Sequence, residues 1–149
     1  GSESYDLGMP GFYPDRLESG TLSYPAICSL FEGALLVRAR RSEGARRLIE
    51  LTARLYDALV AMDGCHSYFL PNACGIAAFL HERIPSETLA GLLNERGIAV
   101  RGGLHCAPLA HKALGTFPAG LVRASFSPFQ GKAEADALIA ALRDIVTSA

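Results

Sequence analysis

One cysteine in this chain stands where a nucleophile would be wanted: Cys106, within Arg101-Gly102-Gly103-Leu104-His105-Cys106-Ala107. The heptapeptide follows Ile98-Ala99-Val100, an apolar, β-branched run that reads as a buried strand, which puts the thiol in a loop at a strand exit, where functional residues gather. A thiol attacks only as thiolate, and an unperturbed cysteine with a pKa of about 8.5 is a few per cent ionised at neutral pH. Arg101 and His105 are the near cations in sequence, and the two glycines let backbone N–H groups approach the sulfur or a ligand. A small buried hydrophobe is the other reading of a free cysteine, and the loop alone leaves both open.

A second candidate is Arg123, flanked by Val122 and Ala124 in an apolar run where an unpaired guanidinium is costly. It needs an anion, either a buried structural carboxylate or a substrate carboxylate held by its planar fork. Cys65-His66 and His105-Cys106 with His111 are competent zinc ligands, yet their spacing matches no common zinc module. Neighbouring residues on a strand also point to opposite faces, which argues against Cys65 and His66 ligating together. No metal site is expected. His81, Cys28 and Cys74 read as core or surface filler.

The elements that must position these residues are readable from periodicity. Ser23, as N-cap, and Pro25 open a helix with Ile27, Leu30, Phe31, Ala34 and Leu35 at helical spacing. A second helix is predicted over residues 42–62, with Leu48, Leu51, Leu55 or Tyr56, Leu59 and Met62 on one side, a Glu50–Arg54 pair and Gly64 as its stop. Residues 65–69 and 75–80 read as strands around a Pro71-Asn72 turn. A helix from Ser86 closes at Gly97 and leads into a strand at 98–101; a fourth strand covers 121–126, and a last helix starts near Lys132. This alternation predicts an α/β fold of the α+β two-layer sandwich kind, its mixed or antiparallel sheet of three to four strands covered by helices.

The 149 residues suffice for one domain with a core that needs no staples. Charged residues make up 19%, below the usual quarter or so, which points to surface reserved for a partner. A net charge of −1 and a pI near 6.5 give no drive toward nucleic acid or anionic membrane, and the Arg38, Arg40, Arg41, Arg46 and Arg47 cluster reads as a solvated face. No apolar stretch approaches a membrane span and no signal-peptide plan is present, so the expected compartment is the cytoplasm. Four cysteines spread over a chain of this size fit free thiols in a reducing environment. Residues 1–22, rich in glycine and proline, are expected to be an extended arm, with 23–149 as the domain.

Three segments together resemble a known family. Arg16-Leu17-Glu18-Ser19-Gly20-Thr21, then Gly97 to Ala107, then Val122-Arg123-Ala124-Ser125 occur in the order and approximate separation found in the C-terminal part of class V aminotransferase-fold enzymes that use pyridoxal phosphate (PLP). The Arg-x-Gly-x-His-Cys-Ala string is similar to that of cysteine desulfurases and selenocysteine lyases, of the Suf-type short-loop group. The resemblance implies the C-terminal small domain of PLP fold type I. It implies that Cys106 takes the sulfur of a PLP-bound L-cysteine or related amino acid, leaving an enzyme persulfide and alanine. It further implies that Arg123 clamps the substrate carboxylate, that Arg101 and His105 line the substrate pocket, and that Gly20 and Thr21 reach the PLP phosphate of the neighbouring subunit in a homodimer. A sulfur-acceptor protein is a further implied partner.

The chain departs from the family pattern in ways that carry meaning. The family's Schiff-base lysine precedes this region; Lys112 follows Cys106 and Lys132 lies further on, so neither fits. The expectation is a C-terminal portion whose N-terminal PLP-binding domain is missing, inactive by itself. Ser23 stands where the family often has Asn, Leu104 where a polar residue is frequent, and Phe129-Gln130-Gly131 where an aromatic-Asn-Thr group is common, which leaves substrate choice open. The rival readings are another class V enzyme, a selenocysteine lyase or an aminotransferase, and a non-catalytic sulfur-relay or interaction module.

Overall fold

The computed structural model describes residue 5, residues 7–18 and residues 20–148. Two units are present, Gly1–Arg41 and Ser42–Ala149. The described part of residues 1–22 in the first unit contains no helix or strand; a turn is closed by Arg16 N–H to Phe12 O (2.9 Å) and Glu18 N–H to Pro14 O (3.1 Å).

The two helices expected before Gly64 are a single one, α1 (Tyr24–Val60), 37 residues long. No proline lies between Pro25 and Pro71, and Gly33 and Gly44 each cost only about 1 kcal/mol in a helix, too little to end it. Within the first unit its apolar residues Ile27, Leu30 and Phe31 are exposed. In the second unit Leu48, Leu51, Thr52, Leu55, Ala58 and Leu59 are buried along the stripe expected from the spacing. Arg54 pairs with Asp136 rather than with Glu50, and the guanidinium beside it holds the Asp136 carboxyl below the usual range.

Strands β1 (Cys65–Ser67), β2 (Ile76–His81) and β3 (Val122–Ser125) form an antiparallel sheet in the order β1-β2-β3. On one face Ala77, Phe79, Val122 and Ala124 are buried, and the register sets Ala77 opposite Ala124 and Phe79 opposite Val122. Against this face pack Leu55 and Leu59 of α1, Leu89 and Leu93 of α2 (Ser86–Glu95), and Leu138 and Leu142 of the last helix, all in one core. The other face carries Ile76, Ala78, Arg123 and Ser125, which are half-buried or exposed. The alternation is the period of two that a sheet covered on one side requires.

The strand expected at 98–101 is reduced to one bridge, Arg101 opposite Arg123. Helix α2 ends in a Schellman turn, with Gly97 (φ +76°) donating to Asn94 O at 2.9 Å and Ile98 to Leu93 O at 3.0 Å. That turn spends the Ile98 N–H on the helix, and only Arg101 reaches β3. A short helix the sequence reading passed over, α3 (Pro108–Ala113), follows the cysteine loop with Pro at its first position. Helix α4 (Lys132–Thr147) closes the fold, its Glu134 carboxylate accepting the Gly131 N–H at 2.9 Å.

Candidate active site

Arg101 and Arg123 exchange two backbone hydrogen bonds, Arg101 N–H to Arg123 O at 3.1 Å and Arg123 N–H to Arg101 O at 2.7 Å. Residues directly opposite in an antiparallel pair project to the same face, so the bridge sends the Arg101 and Arg123 side chains from neighbouring positions to the sheet face that the helices leave uncovered. Arg123 Nε is buried and has no hydrogen-bond partner among the described residues. A buried donor left unmatched is costly, and a carboxylate oxygen would satisfy it.

After Arg101 the chain turns through two glycines whose form is dictated by contact. A Cβ on Gly102 would stand 2.5 Å from Ser86 O, at the start of α2. Gly103 has φ +101° and accepts the Leu121 N–H at 3.1 Å. Gly120, before β3, lies so close that a Cβ on it would stand 2.5 Å from the carbonyl carbon and oxygen of Gly103. The cysteine loop is thus seated on the segment that feeds the Arg123 strand.

His105 (φ +51°) and Cys106 (φ +60°) then take left-handed conformations in succession, each costing about 1 kcal/mol for a residue with a Cβ. The turn is closed by Ala107 N–H to Leu104 O at 2.9 Å, and α3 begins at Pro108. The result is an exposed thiol, with Arg101 Nη2 4.0 Å from Cys106 Sγ. A guanidinium there attracts negative charge on sulfur. The buried-hydrophobe reading of Cys106 is set aside by its exposure.

The His105 ring turns away from solvent. Its Nε2 lies 3.1 Å from Leu121 O, and its Nδ1 is buried without a partner among the described residues. Burial pushes this imidazole below the ordinary histidine value; the Leu121 carbonyl opposes that shift, and Arg123, Arg101 and His111 reinforce it. His111 is buried, its Nδ1 2.8 Å from Thr116 Oγ1, and its ring centroid is 6.0 Å from that of His105. Half-buried Cys65 lies elsewhere, on β1, its thiol pushed up by burial and by Asp63. No group of three or more His, Cys, Asp or Glu among the described residues is placed to hold a metal.

Of the residues singled out in sequence, Arg101, His105, Cys106 and Arg123 come together in the second unit, while Gly20 (φ +89°) and exposed Thr21 belong to the first. The sequence reading missed the seat itself: Gly120, the Leu121 backbone, and the His111–Thr116 pair. The Gly115 and Gly120 pair bracketing Pro118 was the available signal for a built turn before β3.

The family described as Aminotransferase class-V matches residues 11–138. A probable cysteine desulfurase of Aeropyrum pernix is 34% identical over 143 residues, covering 91% of this chain and 34% of that protein. The crystal structure of the cysteine desulfurase CsdA of Escherichia coli, in its S-sulfonic acid form, is similar with a TM-score of 0.62 at 31% identity, over 70% of this chain and 25% of that one. The apo cysteine desulfurase of Thermococcus onnurineus gives a TM-score of 0.78 at 25% identity, over 91% of this chain and 34% of that one. The chain therefore spans 34% of the length of the Aeropyrum relative.

Proposed function

The chain belongs to the class V aminotransferase family, and from that premise we propose that it is the C-terminal part of a PLP-dependent cysteine desulfurase that moves sulfur from L-cysteine onto Cys106 and releases alanine. The observation that carries this reading is the exposed Cys106 thiol held beside Arg101, on the loop seated against the strand of Arg123.

The residues fit the substrate end of a PLP site. The unmatched Nε of Arg123 calls for an anion, and a substrate carboxylate supplies one. A covalent anchor is not among them: Lys112 Nζ lies 5.2 Å above the Phe117 ring, and Lys132 opens α4. The anchor lysine is assigned to a preceding N-terminal domain, residues 1–22 to the connecting arm and 23–149 to the small domain. Gly20 and Thr21 would hold the phosphate of the neighbouring subunit's cofactor in a homodimer. When bound, PLP supplies the electron sink that lets the carbon–sulfur bond of the substrate break.

What this chain's own residues do is bind, orient and accept. Arg123 takes the substrate carboxylate, and Arg101 orients the substrate beside the sulfur. Cys106 Sγ forms the new S–S bond as the substrate's Cβ–S bond breaks; the electron pair of the broken bond ends on Cβ, where a proton completes alanine. The sulfane sulfur leaves Cys106 for a thiol acceptor protein. Four free cysteines support a reducing, cytoplasmic setting, and no helix among the described residues is long and apolar enough to cross a membrane.

The test is turnover of L-cysteine by the full-length protein. Alanine and released sulfur are expected in equal amounts, with Cys106→Ala abolishing sulfur release. A Cys106→Ala protein that still releases sulfur at the wild-type rate, or a wild type that only transaminates, would place the chain elsewhere in the family.

A further inference from the structure

Leu121 is held at both of its backbone polar groups by the cysteine loop. Its N–H donates to Gly103 O at 3.1 Å, and its carbonyl lies 3.1 Å from His105 Nε2. A carbonyl only accepts, so the hydrogen bond puts the His105 proton on Nε2. Nδ1 is then a bare acceptor, buried and without a partner among the described residues. A second proton on the ring would create a buried donor with nothing to bond, and a positive charge among Arg101, Arg123 and the facing His111 ring.

Resting on the desulfurase reading above, we propose that His105 is a positioning residue: a neutral Nε2–H imidazole that pins the backbone beside Cys106 to the entry of the Arg123 strand, and neither contacts substrate nor carries a proton in the reaction. The ring that precedes the thiol reaches a residue 16 positions on, two before the guanidinium. The bond therefore sets the distance between the sulfur that attacks and the group that holds the substrate. Its donor is spent on Leu121 and its other nitrogen faces no solvent, which leaves no ring atom for substrate. The pinned turn also holds the two successive left-handed residues, which would relax to ordinary backbone if released. Misplacement of reacting groups by an ångström is worth about a hundredfold in rate.

The experiment uses the full-length protein with His105→Ala and His105→Gln, the second keeping an N–H donor for Leu121 O while titrating nowhere near neutral pH. With folding checked by circular dichroism, His105→Ala is expected to lower kcat for alanine formation by about ten- to a hundredfold and to leave KM for L-cysteine unchanged. His105→Gln is expected to recover most of that loss, with the wild-type pH profile. A Gln variant as slow as Ala would make the ring a proton carrier, a raised KM at constant kcat would make it a substrate contact, and an unaffected Ala variant would make it neither; each overturns the proposal. Should wild type turn over no cysteine at all, the desulfurase reading fails by itself. Histidine ¹⁵N spectra at neutral pH then decide the inference: a neutral Nε2–H tautomer supports it, and a charged ring or an Nδ1–H tautomer overturns it.

Discussion

Gly115 and Gly120 both have φ +70°, and they provide a matched pair for measuring how firmly the cysteine loop is seated. An alanine at either position must hold a left-handed backbone, which costs about 1 kcal/mol. At position 115 nothing lies within 4 Å of the added Cβ, so that cost is the whole effect. At position 120 the Cβ would stand 2.5 Å from the backbone of Gly103, which cannot rotate away as a side chain can. Relief requires parting Gly103 from Leu121, breaking their 3.1 Å hydrogen bond and leaving a buried N–H unmatched, a further loss of about 2 kcal/mol. Gly120→Ala is expected to destabilise the chain by about 3 kcal/mol and Gly115→Ala by about 1 kcal/mol. Urea denaturation with unchanged m reads both as shifts of midpoint. Equal destabilisation by the two variants would refute the argument that the loop is built on close backbone contact.

Two further outcomes follow from the charges of the site. Arg123→Lys keeps the charge and loses the planar fork; a charge-assisted hydrogen bond of about 1.5–3 kcal/mol corresponds to a rise in KM for L-cysteine of about ten- to a hundredfold in steady-state assays of the full-length protein, and an unchanged KM would remove Arg123 from substrate binding. The His105 ring is held below its ordinary value of 6.5, chiefly by burial, so its contribution to stability is complete above that pH and is lost as pH falls through the lowered folded-state value. The stability difference between wild type and His105→Gln, followed by urea midpoints across the acid range, is expected to fall with pH below 6.5; a difference that stays flat or grows in acid contradicts the buried, neutral ring.

How much of this was legible in the sequence depended on whether a signal was local. The apolar stripe from Leu48 to Leu59, the Gly97 stop and the strand read over residues 75–80 are patterns within one element, and they appear where expected. The break expected within α1 does not occur, because a run of arginines is compatible with a solvated helix and two glycines do not end one. Ile98-Ala99-Val100 has strand composition, yet the Schellman turn at the end of α2 claims the Ile98 N–H, and the helix cap overrides strand propensity there. Cys106 and Arg123 were visible by residue type, as a candidate nucleophile in a glycine-rich loop and an arginine lacking an anion. Their common seat was not, since it rests on a register between residues 22 positions apart and on two glycine backbones in contact.

In the proposed reaction all sulfur passes through one thiol, that of Cys106. Full-length protein given L-cysteine labelled with a heavy sulfur isotope, quenched by alkylation and digested, is read by mass spectrometry peptide by peptide. One labelled sulfur is expected on the peptide of Cys106 and none on those of Cys28, Cys65 or Cys74. Labelled sulfide released with the Cys106 peptide unlabelled, or label on another cysteine that persists in Cys106→Ala, would contradict it.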